Sequence, residues 1–331
     1  MVKFLILRFS SIGDIVLTTP VIRHLKEQVD EVQVHFLTKK SYASLLESNP
    51  YVDKVLTFEG DMKSCLQTLK KQEYDYIIDL HNNIRTARIK LGLKRMDFTV
   101  KKLNALKWLY VNLHLNRLPN IHMVDRNLET IKLFMEEQDE QGLDHFIPER
   151  EKVDLSSLPE EFREAYIAIA IGAQHETKKL PKEALIELCG KLSVPLIILG
   201  GPGDQEVGAA IVEALPGKQI LNACGAYSIN QSASLVEQSR VLITHDTGLM
   251  HIGAAKRKKI ITIWGNTVPQ FGMYPYRPDP ASLSFEVKEL KCRPCSKIGH
   301  QKCPKKHFKC MMDQDLDGIA SEAGRLFSME S

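Results

Sequence analysis

Three groups of side chains in this sequence have the types and spacing to do chemistry. The first is Ser10, Ser11, Gly13 and Asp14, which directly follows the apolar run 4–7 and opens a helix near residue 15. Open α/β sheets hold ligands at the carboxyl ends of strands, so the loop is a candidate site by position. Gly13 would let a ligand approach the backbone closely. Asp14 can be read two ways: as a carboxylate capping the helix, or as a general base for an alcohol nucleophile.

The second group is three loops in the other half of the chain. One runs from residue 172 to 179 with Gln174, His175, Lys178 and Lys179, just before Pro181 starts a helix. Lysines there could neutralise a departing phosphate. Another is Gly200, Gly201, Pro202, Gly203 and Asp204, where Asp204 is spaced like an acid that grips ribose hydroxyls. The third contains Asp246, Thr247, Gly248 and His251, in which free N–H groups at a helix start form an anion site suited to a diphosphate. Each feature also has a plain structural reading: Asp246 as a cap, the glycines as turn punctuation, His251 as a packed histidine.

The third group is Cys292, Cys295, Cys303 and Cys310, spaced C-x2-C-x7-C-x6-C with His300 and His307 interleaved. Four thiols at this spacing are a candidate structural Zn2+ site, the alternative being a loop of free thiols.

The elements that must position these groups are short β-rich runs alternating with helical patterns, as in parallel sheets with crossover helices. Strands are expected at residues 2–7, 32–37, 54–58 and 76–80, with helices at 16–26 and 64–71. After a polar connection over 138–164 the alternation restarts. Strands follow at 166–171, 195–199, 241–244 and 260–264, with helices at 181–191 and 316–327. The expected division is one Rossmann-like domain over 1–150 and a second over 151–331, the latter carrying the Cys-rich segment 292–310 and a C-terminal helix.

Length and composition agree with two α/β domains: 331 residues, 44% hydrophobic and 26% charged. Seven cysteines without an export signal point to a reducing, cytoplasmic setting. The net charge of +3 implies no general attraction to nucleic acid. Residues 85–107, however, hold eight Lys/Arg, Arg85 and Arg88 among them, against one acid, Asp97. That segment is either a solvated face or a surface for an anionic partner. The first loop lacks the G-x-G-x-x-G spacing of a dinucleotide site, which argues against an NAD-linked oxidoreductase.

The strings LRFSSIGDIVLTTPVI (7–22), THDTGLMHIGAA (244–255) and IWGNTVPQ (263–270) resemble glycosyltransferase family 9, the heptosyltransferases of lipopolysaccharide inner-core assembly. The resemblance implies a GT-B architecture, two Rossmann-like domains facing across a cleft, and inverting transfer from ADP-heptose to a lipid A-linked sugar without a catalytic metal or other cofactor. It implies that Asp14 is the general base and that Lys178 stabilises departing ADP. Thr247, Gly248 and His251 would surround the diphosphate and heptose, Asp246 would orient the donor sugar, and Asp204 would hold the ribose. Gln174, where relatives often carry Thr or Ser, would face the donor phosphates. Ser10, Ser11, Arg85 and Arg88 would face an anionic acceptor, with peripheral contact to the inner membrane through the same basic segment. Other nucleotide sugars or acceptors, and a zinc-containing nucleic-acid module, are the remaining alternatives.

Overall fold

The computed structural model describes residues 1–329. Its central strands form where apolar runs are long enough to be buried on both faces, as the interior of a parallel sheet requires. In the first unit β1 (Val2–Leu7), β2 (Val32–Lys39), β3 (Lys54–Phe58), β4 (Tyr76–Asp79) and β5 (Met96–Thr99) pair in the order β3-β2-β1-β4-β5. Every pairing is parallel. In the second unit β6 (Ile167–Ala170), β7 (Leu196–Leu199), β8 (Ile220–Asn222), β9 (Val241–His245), β10 (Lys259–Trp264) and β11 (Leu283–Glu286) pair in the order β8-β7-β6-β9-β10-β11. These pairings are also all parallel.

Both sheets are doubly wound. The chain direction across the sheet reverses between β1 and β4 in one unit and between β6 and β9 in the other. A crevice opens at the carboxyl ends of the strands at such a reversal, and ligands bind there. The candidate loops of residues 8–14, 172–179 and 246–248 all follow one of these four strands.

By contact the first unit comprises Met1–Lys102 and Ile121–Phe146, and the second Leu103–Asn120 and Ile147–Ser331. The helix Asn104–Leu113 thus groups with the second unit. Its Tyr110 ring meets that of Phe271, and the Lys107 ammonium lies over the same ring.

The single helix expected at 16–26 is two, Ile12–Val16 and Thr19–Gln28, with Pro20 in the first turn of the second. Proline has no N–H to donate, so it is best accommodated in a helix's first turn. The second helix buries Arg23 completely, with its guanidinium bound to Asp139 at 2.9 Å, to Asp144 and to the Gly142 carbonyl. Among the described residues no helix is long and apolar enough to cross a membrane.

Candidate functional site

In the first unit the site is built on Arg8, the residue after β1. Its Nη1 donates to the Leu80 carbonyl beyond β4 and its Nε to the Ser10 carbonyl at 2.9 Å. Those bonds aim Nη2 at Asp14, 2.5 Å from Oδ1. The other Asp14 oxygen accepts from Ser11 N at 3.2 Å and Ser11 Oγ at 2.8 Å. Asp14 therefore does cap its helix, as the plainer reading expects, and the same carboxylate is also paired with a cation. Burial opposes its charge, but the Arg8 charge and the Ser11 hydrogen bonds outweigh that and lower Asp14 to about 2. The side chain remains a quarter exposed, so an incoming hydroxyl can reach it.

His81, beyond β4, shares this crevice and was not singled out in the sequence. Its ring meets Phe9 edge-on at 5.2 Å, and burial followed by the Arg8 and Lys102 charges lowers it to about 4. Asp79 fixes the loop, accepting from His81 N at 3.0 Å and Asn82 N at 2.7 Å. Neutral at physiological pH, His81 has a buried Nδ1 with no partner among the described residues. Only the placement of β4 beside β1 brings it to Arg8; a histidine two residues past a strand carries no such information in the sequence. Arg85 and Arg88 stand exposed on the helix Ile84–Leu93. Lys90, from the same basic segment, is neutralised by Asp97 at 2.8 Å and Asp79 at 3.3 Å.

In the second unit Lys178 and Asp246 come together across the β6–β9 switch point, Nζ to Oδ2 at 2.6 Å, both largely buried. Thr267 Oγ1 donates to the same Asp246 oxygen at 2.9 Å. Asp246 is followed by Thr247, the N-cap of the helix Gly248–Ala255, whose first N–H groups lack intrahelical partners. His251 is buried on this helix at 2% exposure, and Gln174 is exposed.

Asp204 is held from two sides, by Lys179 Nζ at 3.1 Å and Gly201 N at 2.9 Å. A Cβ on Gly172 would lie 2.4 Å from Asp204 Oδ2, and one on Gly200 2.8 Å from Asp204 Cβ. Glycine is required at both positions for the carboxylate to settle between the loops. Together, one unit offers a carboxylate held beside a cation. The other offers a lysine, a helix N-terminus and two carboxylates at the carboxyl ends of its strands, an arrangement able to hold an anion.

The Cys-rich segment is wired into this second site, which the sequence did not indicate. Arg293 donates to Thr267 O and Glu286 Oε2, each at 2.9 Å, and Thr267 in turn holds Asp246. Thr177, beside Lys178, donates from N to His300 O at 3.1 Å and accepts from His300 N at 2.8 Å. All four cysteines of the segment are free; Cys310 is buried and the other three half-buried.

The family model for glycosyltransferase family 9 (heptosyltransferase) matches residues 62–304. The lipopolysaccharide heptosyltransferase 1 of Campylobacter coli is 23% identical over 299 residues, 80% of this chain and 84% of that protein. Its Escherichia coli K12 namesake is 23% identical over 292 residues, covering 81% and 89%. Among solved structures, E. coli ADP-heptose lps heptosyltransferase II superposes with a TM-score of 0.75 at 21% identity over 98% of each chain. A family 9 glycosyltransferase from Veillonella parvula gives 0.78 at 20% identity, covering 98% and 97%. At these identities the structural likeness establishes the GT-B fold.

Proposed function

The chain belongs to glycosyltransferase family 9, and from that premise we propose that it transfers heptose from ADP-heptose to a lipid A-linked inner-core sugar, inverting the anomeric centre without a catalytic metal. Being a glycosyltransferase, it needs neither the nicotinamide chemistry nor the nucleic-acid role that its sequence left open. The observation that carries the reading is the Lys178–Asp246 pair at the start of the helix Gly248–Ala255. A cation beside free N–H groups is the arrangement that a departing diphosphate needs, and this supports the reading.

In the proposed reaction the acceptor hydroxyl oxygen attacks the anomeric carbon of the donor, and the bond from that carbon to the phosphate oxygen breaks. Asp14 takes the hydroxyl proton. A carboxylate lowered to about 2 is a weak base towards a neutral alcohol. It is sufficient once the oxygen has begun to bond to carbon and become strongly acidic, so the proton moves late. Lys178 turns from Asp246 to the departing ADP, and Asp246 is freed to accept from heptose hydroxyls. Thr247 and Gly248 supply N–H groups to the diphosphate, and Asp204 accepts from the ribose. His251, buried on the same helix, stands by the diphosphate and heptose in this reading.

The acceptor is anionic in this reading, met by Ser10, Ser11, Arg85 and Arg88. On the helix Ile84–Leu93 and the strand after it, Ile84, Leu91 and Met96 are exposed among the basic side chains. Apolar groups set among cations suit peripheral contact with the anionic inner leaflet of a membrane, from the cytoplasmic side. The test is a donor panel of ADP-heptose, ADP-glucose and UDP-glucose with a Kdo-bearing lipid A acceptor, read by product mass. Heptose added only from ADP-heptose is expected; turnover with another sugar alone would replace the donor, and no turnover with any would remove the reading.

A further inference from the structure

Between β11 and the helix Lys309–Met312, residues 287–308 form neither helix nor strand. Irregular segments of this length are uncommon in compact domains and are usually functional when they are ordered. Apolar burial is confined to its ends, where Leu290 and Phe308 pack against the core, while Ile298 between them is 57% exposed. Backbone hydrogen bonds within the segment are few, Arg293 N to Leu290 O at 2.9 Å and Lys306 N to Cys303 O at 3.0 Å among them. Yet the segment holds Thr177 and Thr267 in place at the donor-side site, which needs a defined conformation.

We infer that Cys292, Cys295, Cys303 and Cys310 bind one thiophilic divalent metal ion as a tetrathiolate, Zn2+ being the ion that fits best, and that this metal braces the loop behind Lys178 and Asp246. The four thiols fall along this segment and the first turn of the helix after it at C-x2-C-x7-C-x6-C spacing, Cys310 buried and the others half-buried, and Cys295 and Cys310 lie near enough to the rest of the set to feel their charge. Cys292 Sγ lies 3.7 Å from His307 Nε2. None of the four is in a disulfide.

Charge points the same way. Residues 291–309 hold seven Lys/Arg and no Asp or Glu. Left alone, such a run repels itself. Four thiolates around M2+ form a dianion that these cations surround and stabilise. Binding is a proton exchange without redox change: four Cys–SH and M2+ give four M–S bonds and release four protons, so affinity falls as pH falls. Among the described residues no three His, Cys, Asp or Glu side chains already close on a common point. Metal binding therefore includes an inward rotation of the thiols, with the segment tightening around the ion. His300 is engaged elsewhere, its backbone with Thr177 and its Nε2 3.2 Å from the Cys295 carbonyl, so four sulfurs are the fitting donor set.

The experiment uses the full-length protein purified under reducing conditions, with elemental analysis, intact mass, and thiol titration before and after chelation. About one zinc per chain is expected, with four thiols becoming reactive only when a chelator removes it. Reconstitution with Co2+ should give the absorption of tetrahedral cobalt thiolate, and Cys295→Ser or Cys303→Ser should lose it. Stripping the metal should raise KM for the donor several-fold more than it lowers kcat, and Zn2+ should restore it. Iron at the same stoichiometry would sustain the site and reassign the ion. Less than about 0.1 metal per chain together with no cobalt thiolate band in the reduced wild type would overturn the inference, as would a native mass showing two disulfides. Should a serine variant fail to fold, these wild-type measurements still decide. Metal content does not depend on the donor's identity, so a failed transferase assay and a missing metal are separable results.

Discussion

Arg8→Gln isolates the electrostatics of the proposed base. In the native protein the drop of Asp14 from 3.8 to about 2 corresponds, at about 1.36 kcal/mol per pH unit, to about 2 kcal/mol of preferential stabilisation of the carboxylate. Arg8 is the strongest attraction behind that drop, while burial acts in the opposite direction. Without the guanidinium only the Ser11 hydrogen bonds oppose burial, and Asp14 moves up towards 3.8. The sign for stability follows from linkage. A carboxyl group lowered on folding stabilises the native state above its unfolded pKa, and that stability is lost as pH falls from about 3.8 through about 2. The variant should therefore lose up to about 2 kcal/mol at pH 7, measured by urea unfolding, and much less near pH 3. In the pH profile of kcat/KM the wild type should show no inflection from Asp14 above about pH 3, whereas the variant should gain an acid limb near about pH 4. An unchanged urea midpoint together with a flat acid profile in the variant would refute the pairing's role.

Lys178→Ala should lower kcat by roughly a hundred- to a thousandfold, since it removes a cation from the leaving group, with a smaller change in donor KM; steady-state kinetics would show it. Gly172→Ala drives a Cβ to 2.4 Å from Asp204 Oδ2, so ADP binding followed by calorimetry should weaken by tenfold or more while the first unit is unaffected. Arg23→Met leaves the Asp139 and Asp144 carboxylates without their buried partner and should cost about 3 to 5 kcal/mol by denaturant unfolding. Finally, His81→Gln should leave thermal stability near wild type but raise KM for the acceptor rather than for the donor, because His81 sits beside Asp14.

Much of the fold can be read in the sequence because buried parallel strands are near-continuous apolar runs: LIIL in β7 and IAIA in β6 have no exposed residue. The strands that escape the pattern are β5, β8 and β11, and all three are sheet edges. An edge strand has a neighbour on only one side and is covered less, so MDFT and ILN carry too few apolar residues to stand out. For the same reason the grouping of Leu103–Asn120 with the second unit has no local signal; it depends on Tyr110 meeting Phe271, far along the chain.

The site follows similar logic. Ser10, Asp14, Lys178, Asp204 and Asp246 are legible because each lies in a short polar loop directly after an apolar run. Their partners Arg8, His81, Thr177, Thr267 and Arg293 are not, because strand order and one long irregular segment bring them there. Arg85 and Arg88 are legible as charge, and the fold adds only that they are exposed.

The central claim is that Asp14 removes the acceptor proton while the second unit releases ADP from the sugar. Wild type and Asp14→Asn should be compared with ADP-heptose and a Kdo-bearing acceptor, following product by mass and anomeric configuration by NMR and measuring ADP affinity separately. The expected result is an inverted heptoside from the wild type, a loss of roughly a hundredfold or more in kcat for the variant, and equal ADP affinity for both. Transfer by Asp14→Asn at close to the wild-type rate would contradict it.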